Sequence, residues 1–533
     1  MSPRFLVIGA GSRGNAYARA VTQSTNGIIG GVAEPVKFKR DDLGRQYIWG
    51  EDGPTEGQAF NGWQEFLDWE KNRRKNATSD NSVPDGFDGI FVCTQDESHM
   101  EVILALALLN IHIMAEKPLA TNLQDCLSIY KALLPTGLHS APKIIFAIGH
   151  VLRYSPHNML LRKLLVEDEV IGDILSIEHT EPVGWWHFSH SYVRGNWRKE
   201  SHAAPSLLTK SCHDIDFLLW LLCSPPPSDP YRKPHLPIDV SSTGSLKYFR
   251  RSRKPALAGN VTNCLSCPVE RDCMYSAKKI YDERHLVKGN TDWPVNIVDP
   301  EIEDIATTSG KSMAKSRLHE RLAEDYDTRT PTKVVEKRPW FGRCVYECDN
   351  DVCDDQVVTI SWEDDPIIRN GSEVVSQYSQ LAGRSAKTAA FHMIAQTEKQ
   401  CERRGRVYGT KGEIEYDSNT IRVYDFASDS ARIFHPPQPG GGHGGGDDGL
   451  ASQYVKAVDA VKNHNMKVQN AQIEHVRCTL EEVIRSHAMV FAAEDARRSR
   501  TIVDWPSWWK SHVEDRLASK DDGNKTVLEQ SFL

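Results

Sequence analysis

The chain has no long apolar run. Its longest, Val102 to Leu109, stops at Asn110, whereas crossing a bilayer takes about 20 such residues. A membrane partner is not expected. Cysteine is sparse, 12 in 533 residues, too few for a disulfide-stapled scaffold, so free or metal-bound thiols in a reducing compartment are expected. Positive charge is not in excess either. The 64 Lys and Arg face 72 Asp and Glu, a net charge of −8, and that balance argues against a generic nucleic-acid partner, since phosphate backbones select basic surfaces. The 36 glycines and 27 prolines exclude collagen and bulk low complexity. The opening apolar stretch, Phe5-Leu6-Val7-Ile8, is too short for a secretory signal core, so a cytoplasmic location is expected. The length exceeds the roughly 250–300 residues that one core sustains, so several structural units are expected.

What is present begins with a five-residue apolar run at residues 5–9, the signature of a strand buried on both faces. Gly9-Ala10-Gly11-Ser12-Arg13-Gly14 follows at once, and Asn15 to Val21 continues without breakers. This is G-x-G-x-x-G in its required setting of strand, tight turn and helix. Gly9 permits the turn, Gly11 lets a pyrophosphate approach the backbone, and Gly14 lets helix and strand pack closely. The helix N-terminus supplies unpaired N–H groups and positive dipole for the phosphates, with Ser12 and Arg13 beside them. The next strand, Gly27 to Ala33, ends at Glu34, where a carboxylate would accept the adenosine ribose hydroxyls. A carboxylate there repels a 2′-phosphate and favours NAD; Arg13, Lys37 and Lys39 would instead favour NADP. Residues 71–82 read as a solvated loop, after which strands at Asp88–Thr94, Ile111–Ala115 and Ile144–Ile148 alternate with helices. Such alternation implies a parallel sheet with ligands at the strand C-termini, which is where Thr94 and Glu116-Lys117-Pro118 stand. His99, opening the helix after Thr94, joins the expected cofactor contacts.

Gly9-x-Gly11-x-x-Gly14, Glu34, Cys93-Thr94 and above all Glu116-Lys117-Pro118 resemble the glucose–fructose oxidoreductase/inositol dehydrogenase (Gfo/Idh/MocA) family. The likeness continues through Gly149-His150-Val151-Leu152-Arg153-Tyr154, Lys210 to Asp216, and the Gly-rich turn near His443. It implies an α/β chain: a Rossmann dinucleotide-binding domain over 1–152, then an α+β substrate and oligomerisation domain over 153–515. The second domain would carry a large, mostly antiparallel open sheet, with insertions at about 226–340, and a disordered tail is expected over residues 516–533. It further implies that Lys117 lies beside the nicotinamide and the substrate hydroxyl, an ammonium polarising the reacting oxygen. His213 of His213-x-x-Asp216 is the implied acid/base, a task imidazole suits. Many members carry Asp four residues before that His; this chain has Thr209, which leaves the proton relay open and gives Lys210 a possible electrostatic share. Arg153, Tyr154, Trp186, Trp197, Asp216 and His443 are the expected substrate contacts, since indoles beside polar groups suit the C–H faces and hydroxyl edges of a sugar.

Ser206 to Leu221 reads as one helix, Lys311 to Asp325 as another, and Ala471 to Arg498 as an unbroken third. Cys264, Cys267 and Cys273, in C-x2-C-x5-C spacing, with Cys344 and Cys348 further on, are compatible with a structural zinc site or with ordinary thiols. The residues therefore point to an NAD(P)-dependent oxidoreductase acting on a secondary alcohol of a sugar, polyol or glycoside, as a homodimer or tetramer. Two further readings stay open. One is a redox-neutral enzyme that cleaves glycosides through a 3-keto intermediate; the other is a non-catalytic nucleotide-sensing regulator.

Overall fold

The structure is a computed structural model that describes residues 1–77, 83–134, 142–365, 384–439 and 442–519. Its first layer is a six-stranded sheet. Strands β1 (Arg4–Ile8), β2 (Ile28–Ala33), β3 (Ala59–Phe60), β4 (Gly89–Val92), β5 (His112–Ala115) and β6 (Phe146–Ile148) lie in the order β3-β2-β1-β4-β5-β6. Every pairing is parallel. The apolar runs read from the sequence are these strands, and Phe5, Leu6, Val7, Ile90, Phe91 and Val92 are fully buried because helices cover both faces. The order of connection reverses between β1 and β4, which opens a crevice at their C-terminal ends. Helix α1 (Ser12–Ser24) starts at that crevice and buries Tyr17, Ala18 and Val21, one helical face on the sheet.

The second sheet has nine strands. They are β7 (Ile174–Pro182), β8 (Asp239–Ser245), β9 (Asp355–Trp362), β10 (Lys387–Ile394), β11 (Arg404–Gly409), β12 (Gly412–Tyr416), β13 (Ile421–Asp425), β14 (Ser430–Phe434) and β15 (Val503–Asp504). Their order is β14-β13-β12-β11-β7-β10-β9-β8-β15. Only β7 and β10 run parallel; the other pairs are antiparallel. In β9 and β10 buried residues alternate with half-exposed ones, so one face packs on helices and the other stays open. The helices behind it are Cys212–Leu222 and Leu480–Ser499.

Several expectations need correction. The region read as a solvated loop at 71–82 is helical through Asn76, within helix Trp63–Asn76; residues 78–82 lie outside the described residues. Ser206 to Leu221 is two helices, Ser206–Thr209 and Cys212–Leu222, broken at Lys210-Ser211. Ala471 to Arg498 is also broken. Arg477 takes the left-handed conformation at φ 55°, and Thr479 with Glu482 forms a capping box that starts a new helix at Leu480. Residues 226–340, read as insertions, contain regular structure. They include β8, and residues 264–341 build a hydrophobic core of their own around Ala277, Ile280, Tyr281, Ile302, Leu318, Leu322 and Phe341. At the C-terminus, helix Asp515–Ala518 occupies the start of the expected tail, and residues 520–533 lie outside the described residues. Among the described residues no helix is long and apolar enough to cross a membrane.

Candidate active site

The glycine-rich turn has the geometry its residue types require. Gly9 sits at φ 95°, and a Cβ there would stand 2.4 Å from the Cys93 carbonyl oxygen, so a side chain would separate β1 from the end of β4. A Cβ on Gly14 would stand 2.0 Å from the Gly9 carbonyl oxygen, which enforces the close contact of helix and turn. Gly11 differs: nothing lies within 4 Å of the position its Cβ would take. The space above it is open, Ser12 is exposed, and no side chain caps the N-terminus of α1. Uncapped helix N–H groups beside open space suit an anion. A second unfilled polar site is Thr94, after β4, whose Oγ1 is buried and has no partner. Together these fit a dinucleotide diphosphate and its neighbouring ribose.

Glu34 closes the far end. Its carboxylate accepts the Ala10 and Val36 N–H groups, each at 2.8 Å, which ties the end of β2 to the turn and leaves lone pairs for a ribose diol. Arg40 donates to the Glu34 carbonyl oxygen, a contact with no sequence motif to announce it. Two of the cations that would favour NADP are engaged elsewhere: Lys37 pairs with Asp41. Arg13 turns away from the diphosphate position, its guanidinium reaching Glu116 (2.8 Å), the Tyr17 hydroxyl (2.6 Å) and Asp447 (2.8 Å). Arg13 thus contributes its backbone N–H to the helix terminus, and its side chain clamps the first domain to helix Gly446–His464. Burial alone would raise the Glu116 and Asp447 carboxyls, but Arg13 holds both below the usual range, with Tyr17 on Glu116 and His443 on Asp447. His99 is fully buried, with one ring nitrogen 2.7 Å from the Pro118 carbonyl oxygen and the other 3.2 Å from that of Thr94. It fixes the two strand ends rather than facing the cleft.

Lys117 leaves the end of β5 half-buried. Its Nζ donates to the Thr209 carbonyl oxygen at 3.0 Å and stands 5.9 Å from the centre of the Trp197 ring. The helix break explains the acceptor. In a continuous helix the Thr209 carbonyl would bond to the His213 N–H; here the chain restarts at Ser211, whose carbonyl receives the Asp214 and Ile215 N–H groups. A backbone carbonyl therefore meets the lysine where many relatives are expected to have an Asp. Trp197 is held by its indole N–H donating to Asp96 at 2.8 Å.

His213 opens helix Cys212–Leu222. Its Nδ1 is buried without a hydrogen-bond partner. Burial, then the charges of Lys117 and Arg403, push its pKa well below the ordinary histidine value, so the imidazole is neutral near pH 7. His150 and His443 flank it at ring distances of 6.0 and 5.9 Å, and His443 Nδ1 lies 3.1 Å from Asp447.

Not every expected residue reaches this centre. Arg153 and Asp216 form a bidentate pair at 2.8 Å, with Glu482 at 3.1 Å, and Tyr154 donates to the Val476 carbonyl at 2.6 Å. All three residues are buried and satisfied by protein, so they form a layer behind His213, with His150 between. Lys210 lies 3.2 Å from Glu181 and 2.9 Å from Cys401 Sγ. Burial opposes its charge, yet those two partners hold its pKa above the ordinary lysine value, which makes it a fixed cation and not a proton carrier. Trp186 packs against Trp293 and His285 of the inserted unit, outward from Lys117. Asp447, Glu181 and Cys401 carried no motif; Tyr17, one helical turn after Arg13, had at least the right spacing.

The cysteine expectation is not supported. Among the described residues no group of three or more His, Cys, Asp or Glu side chains is placed to hold a metal ion. Cys264 instead receives a hydrogen bond from the buried Arg194 guanidinium at 3.4 Å, and Cys348 donates to the Cys344 carbonyl at 3.3 Å. Cys267 and Cys273 are half-buried free thiols.

Comparisons with known proteins agree with this architecture. A family model described as "Oxidoreductase family, NAD-binding Rossmann fold" matches residues 3–139, and its companion, "Oxidoreductase family, C-terminal alpha/beta domain", matches residues 163–230. The 2,7-anhydro-N-acetylneuraminate hydratase of Escherichia coli is 30% identical over 135 residues, 25% of this chain and 33% of that protein. An inositol 2-dehydrogenase/D-chiro-inositol 3-dehydrogenase of Halalkalibacterium halodurans is 25% identical over 193 residues, 36% of this chain and 49% of that protein. The chain thus spans between a third and a half of the length of these two curated relatives. Among solved structures, levoglucosan dehydrogenase in complex with NADH and L-sorbose superposes with a TM-score of 0.56 at 15% identity, covering 95% of this chain and 100% of that one. An inositol dehydrogenase homolog complexed with NAD+ from Azotobacter vinelandii does so with a TM-score of 0.56 at 12% identity, covering 95% and 97%. At these identities the superpositions establish the fold. Both Gfo/Idh/MocA family models are thus matched in chain order, one over the Rossmann domain and one over the first part of the second domain, and the chain is similar to that oxidoreductase family in both.

Proposed function

We propose that the protein is an NAD-dependent oxidoreductase acting on a secondary alcohol of a sugar, polyol or glycoside. The observation that carries this reading is the placement of an ammonium, Lys117, beside a neutral imidazole, His213, whose buried Nδ1 has no partner, next to an uncapped helix terminus and an open Gly11. A bound nicotinamide would supply the hydride acceptor. Lys117 donates a hydrogen bond to the substrate oxygen and stabilises the negative charge that develops there. His213 takes the hydroxyl proton as the carbon–oxygen bond gains double-bond character, and returns it in the reverse direction. Lys210, locked to Glu181, contributes a fixed positive field. NAD, not NADP, is favoured by the Glu34 carboxylate at the end of β2. The names of relatives, an inositol dehydrogenase and a levoglucosan dehydrogenase among them, support the substrate class. The open sheet face suits association into a dimer or tetramer.

The test is NADH formation by the purified protein with NAD and with NADP across a panel of sugars, polyols and glycosides. The reading expects turnover with at least one member, faster with NAD, and loss of at least about a hundredfold in kcat for Lys117→Ala and for His213→Ala. Equal rates in wild type and both variants would overturn it.

A redox-neutral cycle is the second reading. It is favoured by the hydratase among the relatives and by a second imidazole, His443, 5.9 Å from His213, available for a further proton transfer. Product formation without net NADH accumulation separates the two.

A further inference from the structure

A line of rings runs outward from Lys117. The ammonium stands 5.9 Å from Trp197, which stacks on Tyr192 at 5.6 Å. Tyr192 meets His187 at 6.4 Å, His187 meets Trp293 edge-on at 5.1 Å, and Trp293 meets Trp186 at 5.1 Å. His285 closes the group, 5.1 Å from Trp186. The inner rings belong to the second domain. Trp293 and His285 belong to the inserted unit, which has its own core around Ile280, Leu286 and Val295 and so can hold them rigidly.

The two ends of this line differ in their hydrogen bonding. The indole N–H of Trp197 is bonded to Asp96, and Tyr192 is buried; these rings are fixed as wall. Trp186 and Trp293 are half-buried, and among the described hydrogen bonds none uses either indole N–H. Each therefore leaves part of its ring accessible and a donor at its edge. Within the described residues this pairing of faces and donors suits a second pyranose or an aromatic aglycone, which offers a C–H or π face and acceptor oxygens at its rim.

We propose that Trp186, Trp293 and His285 form an outer subsite for the second ring of a glycoside whose first ring presents its hydroxyl to Lys117 and His213. This rests on the reaction proposed above and narrows its substrate: the preferred substrate is a disaccharide or aryl glycoside, and free monosaccharides and open-chain polyols bind only the inner site. Binding energy gained at the outer rings is then used at the reacting carbon, so truncated substrates lose kcat/KM.

The experiment uses the full chain and two readouts. The first is the ratio of kcat/KM for a phenyl glycoside to that for the free sugar of the same ring. Wild type should favour the glycoside, Trp293→Ala should lower the ratio about tenfold, and Trp293→Phe, which keeps a ring, should restore most of it. The second readout needs no turnover: binding of the phenyl glycosides and of the matched free sugars, measured by saturation-transfer NMR on wild type and Trp293→Ala. Glycoside binding that is lost selectively in the variant supports the subsite even if no sugar is oxidised, which separates its fate from that of the proposed reaction. Three results overturn it: an unchanged ratio with unchanged binding, an equal loss for glycoside and free sugar, or a loss confined to NADH affinity. Trp186→Ala provides the same comparison should Trp293→Ala fail to fold.

Discussion

On the N-terminal side of the cleft polar groups stand open. Gly11 faces empty space, α1 has no capping side chain, and Thr94 Oγ1 is buried without a partner. On the opposite side most charges are matched. Lys210 meets Glu181, Arg403 meets Asp214 and Glu181, and Arg153 meets Asp216 and Glu482; His213 Nδ1 is left without a hydrogen-bond partner, as are His150 Nδ1 and Ser211 Oγ next to it. The contrast separates frame from ligand contact. A buried polar group left unpaired is costly, so where one persists the missing partner is a ligand or water, whereas groups already satisfied by protein hold the shape. By that criterion His213, Thr94 and the start of α1 face the ligands, Lys117 joins them because its ammonium has three donors and the Thr209 carbonyl takes one, and Arg13, Arg153, Asp216, Tyr154 and His99 support them.

Substitutions can break this division. The largest effect is expected at Lys117: Lys117→Ala should reduce kcat by about 10²–10⁴ with an unchanged melting temperature, as steady-state rates and thermal unfolding will show. His213→Ala should follow closely. Next comes the frame. Asp216→Ala strips Arg153 of its bidentate partner in a fully buried setting and should cost about 3–5 kcal/mol, read as a lower urea midpoint; a variant as stable as wild type would mean that Glu482 alone suffices for Arg153. Smaller is Glu34→Ala, which should weaken NAD binding about tenfold and narrow its preference over NADP, measured by fluorescence titration of the reduced cofactors.

The pH profile sharpens the same comparison with the least change in signal. The base form of His213 is required, and its pKa is depressed by burial and by Lys117 and Arg403. Activity limited by this group is present above the folded-state pKa and lost as pH falls through it. Because that value lies well below the ordinary 6.5, log(kcat/KM) should stay level as pH drops through 6.5. An inflection at 6.5 that disappears in His213→Ala would show a solvated imidazole instead.

The dinucleotide half was legible in the sequence because local rules determine it. A buried strand reads as an apolar run, and Gly9, Gly11 and Gly14 are demanded by backbone geometry at fixed spacing. Glu116-Lys117-Pro118 was found through family likeness, and its strand-end position followed from the β/α alternation. What stayed hidden depends on distant pairing. Nothing near Arg13 announces Asp447, more than 400 residues away, and Arg153 with Asp216 looked like substrate contacts because sequence does not reveal that they satisfy each other. The break at Lys210-Ser211, which frees the Thr209 carbonyl for Lys117, was obscured by an uninterrupted helical pattern. The C-x2-C-x5-C spacing suggested a chelate, but among the described residues these thiols form no group placed to hold a metal ion, and Arg194 donates to Cys264.

The most direct test of the account is a titration of Gly11→Val with NADH, followed by protein-to-cofactor energy transfer. In the structure a side chain at Gly11 meets nothing within 4 Å, and its φ of −74° is open to any residue, so the variant should fold and melt as wild type does. The account predicts that NADH affinity nevertheless falls by at least about a hundredfold, about 2.7 kcal/mol, because the new side chain occupies the diphosphate position. Wild-type affinity in a correctly folded Gly11→Val protein would contradict it.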